Sequence, residues 1–169
     1  MLMKFALVLA MSILLTSCVS QRGFPPEHQI VNFDHMSAQL YRGAQPNRHG
    51  LEYLASLGVK TVVNFRQLDD VFPDEETTAR ALGMEYLALP LSGSMTPSVA
   101  RMNEILAAIE KAPSPVFVHC QFGCDRTGIV VACWRIRHGW TNQKALDEAI
   151  NYGISPLLVG FKQFVLHFK

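Results

Sequence analysis

Val116-Phe117-Val118-His119-Cys120-Gln121-Phe122-Gly123-Cys124-Asp125-Arg126-Thr127-Gly128-Ile129-Val130-Val131 is the stretch that decides how this chain folds. A short apolar run opens it, as suits a strand buried on both faces. A second run, from Ile129 to Ala132, suits a buried helix. Between them stand a cysteine, five residues and an arginine. A helix start leaves backbone N–H groups unpaired, and a loop curled above it adds more in a concave nest; both attract anions. Gly123 allows a turn with positive φ. Arg126 can grip two oxygens of a phosphate in a planar fork, which Lys cannot do. Cys120 is expected at the bottom of this electropositive cup, where a thiolate is favoured. Thr127 can donate its hydroxyl to that sulfur. The expected phosphate cradle is thus Gln121, Phe122, Gly123, Cys124, Asp125, Arg126 and Thr127. Such a cradle suits in-line attack of sulfur on phosphorus, giving a phosphocysteine that water hydrolyses.

The spacing of His119, Cys120, Gly123, Arg126, Thr127 and Gly128 resembles the signature of the cysteine-dependent protein tyrosine and dual-specificity phosphatases. Leu40-Tyr41-Arg42-Gly43-Ala44-Gln45-Pro46 looks like an opening motif of the compact bacterial and fungal members. Val62-Val63-Asn64-Phe65-Arg66 looks like one of their strand ends. The resemblance implies an α/β three-layer sandwich with a mainly parallel central sheet, and phosphatase activity. No metal or organic cofactor is implied, and the six histidines are scattered without metal-ligand spacing.

A leaving oxygen needs a proton from a general acid. In the resembled family that acid is usually an aspartate on the loop before the long helix. Here that loop runs from Pro90 to Pro97 and holds no Asp, Glu or His. Asp125, Asp69 and Asp70 remain. Aspartate just before the arginine resembles the loops of phosphoinositide phosphatases and some bacterial tyrosine phosphatases, which favours Asp125 as the third catalytic residue with Cys120 and Arg126. The competing role for Asp125 is to orient Arg126 or to favour the helix start.

Met1 to Ser17 reads as a secretory signal, with Lys4 ahead of an apolar stretch to Leu15. That stretch is shorter than the roughly 20 residues a membrane-spanning helix needs. Leu15-Thr16-Ser17-Cys18 matches the bacterial lipobox. The resemblance implies cleavage before Cys18, lipidation of Cys18, and a place in the bacterial envelope facing the periplasm. Val19 favours the outer membrane. The expected organisation is a signal peptide over 1–17, a loose lipid-anchored linker over 18–29 and a phosphatase domain over 30–169. Cleavage would leave 14 basic and 14 acidic residues, so no strong field argues for a nucleic-acid partner.

Cys133 reads as a core residue. Cys124, in the same loop as Cys120, is either a small loop residue or a protective disulfide partner. His119 reads as a neutral, hydrogen-bonded core histidine. Strands are expected at Ile30–Phe33, Gln39–Arg42, Lys60–Phe65, Met84–Leu89 and Val116–Val118. Helices are expected over Asn47–Leu57, Asp74–Leu82, Pro97–Lys111 (capped by Thr96) and Arg126–His138. Two more run from an Asn142 cap to Tyr152 and onward from Pro156, the last with Leu157, Phe161, Phe164, Val165 and Phe168 as its apolar face.

The loop has no lysine, which fits one phosphate better than a polyphosphorylated ligand. Arg42, Arg48 and Arg66 are candidates for extra charge at the rim. A phosphotyrosine protein, a phospholipid and a small ester all fit as substrate. Two other classes stay open: a phosphate-binding module without catalysis, and a thiol enzyme such as an arsenate reductase using Cys124.

Overall fold

The computed structural model describes residues 22–67 and 73–169. The proposed signal, Cys18, Asp69 and Asp70 lie outside the described residues. The chain runs β1 (Asp34–Ser37), β2 (Leu40–Ala44), α1 (Arg48–Ser56), β3 (Thr61–Asn64), α2 (Glu75–Ala81) and β4 (Glu85–Ala88). It continues through α3 (Val99–Lys111), β5 (Val116–Cys120), α4 (Asp125–Arg137), α5 (Asn142–Asn151) and α6 (Val159–His167).

One sheet has the order β1-β2-β5-β3-β4. β1 and β2 pair antiparallel, and the remaining pairings are parallel. Side chains alternate across a strand, and the two faces of the sheet divide accordingly. Val62 and Phe117 pack with Leu51, Leu54 and Ala79 from α1 and α2. Val63, Val116 and Val118 pack with Met102, Ile105, Ile129 and Phe161 from α3, α4 and α6. This is the expected three-layer α/β sandwich. α4 is buried from Arg126 through Trp134, so it reads apolar almost all round.

Several boundaries differ from the sequence reading, each for a local reason. Asn32 has φ +55°, which breaks an extended run, so Ile30–Phe33 is a turn and the first strand starts at Asp34. Ser98, not Thr96, caps α3 by accepting from the Arg101 N–H. Thr141 caps α5 by accepting from the Lys144 N–H. Asn142 instead donates its amide to the Val165 and Phe168 carbonyls, both at 2.8 Å, and so satisfies the end of α6. α6 begins at Val159, which leaves Leu157 in the preceding loop and exposed; Phe161, Val165 and Phe168 are buried as expected.

The expected loose linker over 18–29 is tied to the domain in its described part. Glu27 and Ile30 exchange backbone hydrogen bonds of 3.1 and 2.8 Å, and Phe24 stands edge-on to Tyr152 with centroids 4.9 Å apart. Backbone hydrogen bonds and the Phe24–Tyr152 ring contact at these residues replace the freedom that Gly23, Pro25 and Pro26 suggest, although the segment stays exposed.

Candidate active site

β5 lies at the centre of the sheet and delivers Cys120 at its carboxyl end. That is where parallel α/β sheets place ligands. Ala44 of β2 pairs beside Cys120, and Asn64 of β3 beside His119. The three stretches singled out in the sequence are therefore three adjacent strand ends.

The loop that follows is held from outside. The Gln121 carbonyl accepts from the Gln45 N–H at 3.3 Å. The Phe122 carbonyl accepts from the Asn32 amide at 2.9 Å, and the Gly123 carbonyl from the Arg42 guanidinium at 2.5 Å. In a trans peptide the N–H points opposite to the C=O. Three carbonyls tied outward thus turn successive N–H groups toward the loop interior, as an anion nest requires. Gly123 has φ +69°, and a Cβ there would stand 2.6 Å from the Gly43 backbone carbon. Only glycine meets both demands. α4 starts at Asp125, so its positive end faces the same interior. Cys120, Arg126 and Thr127 are all buried at this point. The expected bond from Thr127 to the sulfur is not formed, and the Thr127 hydroxyl has no hydrogen-bond partner among the described residues.

Arg42 corrects the sequence reading, which put it at the rim. Its side chain points inward from β2 and is fully buried beneath the loop. The guanidinium lies 3.7 Å from the Tyr152 ring centroid. Burial pushes its pKa down to about 10, against the opposing influence of Tyr152, Glu148 and Cys120. Its Nε and Nη1 have no hydrogen-bond partner among the described residues.

Asp125 makes three close contacts. Both its oxygens accept from Arg22, at 3.0 and 2.6 Å, and Oδ1 also accepts from the Ser155 N–H at 2.7 Å. The hydrogen bonds to Asp125 raise the pKa of Arg22, whose charge also faces Cys124 and Cys120. Cys124 is buried; its sulfur receives the Asn32 amide at 3.2 Å and lies 3.4 Å from the Phe122 carbonyl. Burial pushes the Cys124 thiol up to about 11. Cys120, Cys124 and Cys133 are free thiols, and Cys133 is a core residue as expected.

A model of the family described as "DSP-PTPase phosphatase fused to NAD+ Kinase" matches residues 25–163. The chain belongs to the DSP-PTPase family. It is 38% identical over 119 residues to the dual specificity protein phosphatase TpbA of Pseudomonas aeruginosa, covering 70% of this chain and 53% of that protein. It is 23% identical over 158 residues to the inositol diphosphatase SIW14 of Saccharomyces cerevisiae, covering 89% and 54%. The chain thus spans about half the length of these curated relatives. A crystal structure of P. aeruginosa TpbA in complex with pTyr superposes with a TM-score of 0.72 at 26% identity, over 90% of this chain and 93% of that one. The core catalytic domain of SIW14 shares the fold, with a TM-score of 0.74 at 19% identity over 87% and 88%.

Within this DSP-PTPase site, one acidic residue escaped the sequence reading. Glu75 opens α2 and is buried behind β5. It accepts from Gln45 at 2.5 Å, and from Asn64 and Tyr86 at 2.8 Å each. His119 Nε2 stands 2.9 Å from its Oε1, a close contact rather than a well-aligned hydrogen bond. Burial pushes the Glu75 pKa up, but the adjacent His119 and the Tyr86 and Gln45 hydrogen bonds outweigh it, so the net shift is downward. Gln45 in turn accepts from Arg66 at 2.9 Å. This network ties the Gln45, Asn64 and His119 motifs together. Nothing in the spacing of the chain marked Glu75, which looks like any acid in a helix's first turn.

Proposed function

We propose that the chain is a phosphomonoester hydrolase that works through a phosphocysteine intermediate, outside the cytoplasm. The observation that carries this reading is the loop with Cys120 and Arg126 at its two ends and three carbonyls tied outward. Arg126 and the inward N–H groups hold three phosphate oxygens. The Cys120 sulfur attacks phosphorus in line, a P–S bond forms, and the P–O bond to the leaving group breaks. The leaving oxygen takes a proton. Water then attacks the phosphocysteine, releasing inorganic phosphate and restoring the thiolate.

Two roles compete for Asp125. As general acid it donates the leaving group's proton. Its contacts with Arg22 and Ser155 favour a positioning role, in which it locks the loop to the neighbouring segments. Asp125→Asn separates them. Loss of turnover on a poor alkyl leaving group, with turnover on an activated aryl phosphate kept, supports the acid. Equal losses on both support positioning.

The substrate reading rests on the relative whose structure holds pTyr and on a loop without lysine. Phosphotyrosine-like monoesters fit it best. A second thiol role for Cys124, as arsenate reduction needs, is disfavoured by its burial and its raised pKa. The anchored location rests on the lipobox at Cys18. The test is para-nitrophenyl phosphate hydrolysis by residues 21–169, with Cys120→Ser alongside. Activity that survives Cys120→Ser sinks the mechanism, and tight phosphate binding without hydrolysis makes the chain a binding module. A screen of phosphotyrosine peptides and inositol diphosphates then sets the substrate class.

A further inference from the structure

The described chain starts at Arg22, and Arg22 is fastened to the phosphate loop. Its guanidinium grips Asp125 through both carboxylate oxygens, and its carbonyl accepts from the Asn32 amide at 3.1 Å. Gly23 and Gly153 lie so close that a Cβ on Gly153 would stand 2.7 Å from the Gly23 nitrogen. Arg22 lies four positions after Cys18. Four Cα–Cα steps reach at most ~14 Å when fully extended. An acyl anchor on Cys18 therefore fixes which face of the molecule meets the bilayer, because the tether leaves from beside the catalytic loop.

That face carries exposed apolar side chains from four separate segments. Phe122 of the phosphate loop is 50% exposed, and Phe24 of the N-terminal segment 46%. Leu157 is 88% exposed, two residues from Ser155, whose N–H binds Asp125. Met95, 71% exposed, precedes Thr96, whose hydroxyl oxygen lies 2.4 Å from where a Cβ on Gly160 would stand. Val159 beside it is also exposed. Lys162 projects its amine to the Pro156 carbonyl at 2.7 Å and places a cation near the same edge. Apolar tips with a cation among them are the composition of a surface that rests in the lipid headgroup region.

We propose that the rim formed by Phe24, Met95, Phe122, Leu157 and Val159 is a bilayer-contacting face, so that the phosphate loop opens toward the membrane that holds the anchor. This rests on the lipid-anchored reading above. Its consequence is that the site works on phosphates presented at the membrane surface.

The test uses the full chain with its native N-terminal segment, reconstituted in vesicles of phosphatidylethanolamine and phosphatidylglycerol with or without brominated acyl chains. Leu157→Trp places an indole on the proposed face, and Val159→Trp gives a second probe if the first fails to fold. Native Trp134 sits in the last turns of α4, a helix of 13 residues, and Trp140 just beyond its end. At 1.5 Å per residue Trp134 lies ~14 Å along the helix from its start at the phosphate loop, and Trp140 farther still, so both report the opposite end. Brominated lipid should quench the added indole about two-fold, because an interfacial apolar face sits ~5–10 Å into the headgroup region. The parent chain's emission should barely change. Equal quenching in parent and variants overturns the proposal, as does a Cys18 without lipid by mass spectrometry. A concentration-dependent dimer with no quenching also overturns it and assigns the face to a second copy. Para-nitrophenyl phosphate turnover by the same chain is read in parallel. Its loss with quenching retained refutes the phosphatase reading alone, and the reverse result refutes the docking face alone.

Discussion

Glu75→Gln exchanges one oxygen for an NH2 group in a pocket where Gln45, Asn64 and Tyr86 all donate. One carboxylate oxygen faces Gln45 and His119, and the other faces Asn64 and Tyr86. Whichever way the amide turns, its nitrogen meets a donor. Hydrogen bonds to a charged group contribute about 1.5–3 kcal/mol each, neutral ones about 1, and a buried donor left unmade costs about 1–3. Two downgraded bonds and one orphaned donor sum to about 3 kcal/mol. For a domain of this size that lowers Tm by about 6–12 °C. The assay is thermal unfolding by circular dichroism at neutral pH. The pH dependence has a fixed sign. A carboxylate held below its unfolded value stabilises the fold above the unfolded pKa of about 4.3 and loses that contribution as pH falls through the folded pKa. The Tm gap between parent and variant should therefore be full at neutral pH and shrink below about pH 4. A gap under about 2 °C at neutral pH, or one that widens in acid, refutes the account of Glu75 as the charged centre of the network.

Gly123→Ala forces a Cβ to 2.6 Å from the Gly43 backbone and a positive φ on an L-residue; para-nitrophenyl phosphate kcat/KM should fall at least ~100-fold, about 2.7 kcal/mol of transition-state stabilisation. Arg42→Met removes a buried charge with two nitrogens that have no partner among the described residues, so Tm should hold or rise while kcat falls about ten-fold, because an unpaired buried charge is costly to keep. A large Tm loss with kcat intact would reverse that assignment. Arg126→Lys keeps the charge and loses the planar fork, so KM and kcat should both worsen, and phosphate inhibition should weaken in step.

The strand, loop and helix from Val116 to Arg137 were legible because one contiguous stretch carries all the cues. Apolar runs mark the buried strand and helix, and glycine marks the turn. Helix ends were less legible. Thr96 and Ser98 are both good caps, and only the observed backbone shows that Ser98 accepts the Arg101 N–H. The last helix lost Leu157 for a similar reason: an apolar residue beyond a helix start looks periodic until the start itself is located.

What the sequence alone determined is which residues share the loop, since Cys120, Arg126 and Thr127 are brought together by one turn of chain. What only the tertiary structure decided is what stands behind and beside that loop. Arg42 lies 81 residues from Gly123, Arg22 lies 103 from Asp125 and Asn32 lies 90 from Phe122. Such pairings depend on β2 and β3 flanking β5, and on which way each side chain points from its strand. Local propensity encodes neither. Strand order comes from burying both sheet faces at once, and that global packing turns a rim arginine into a buried one and an ordinary helix-start glutamate into the centre of a network.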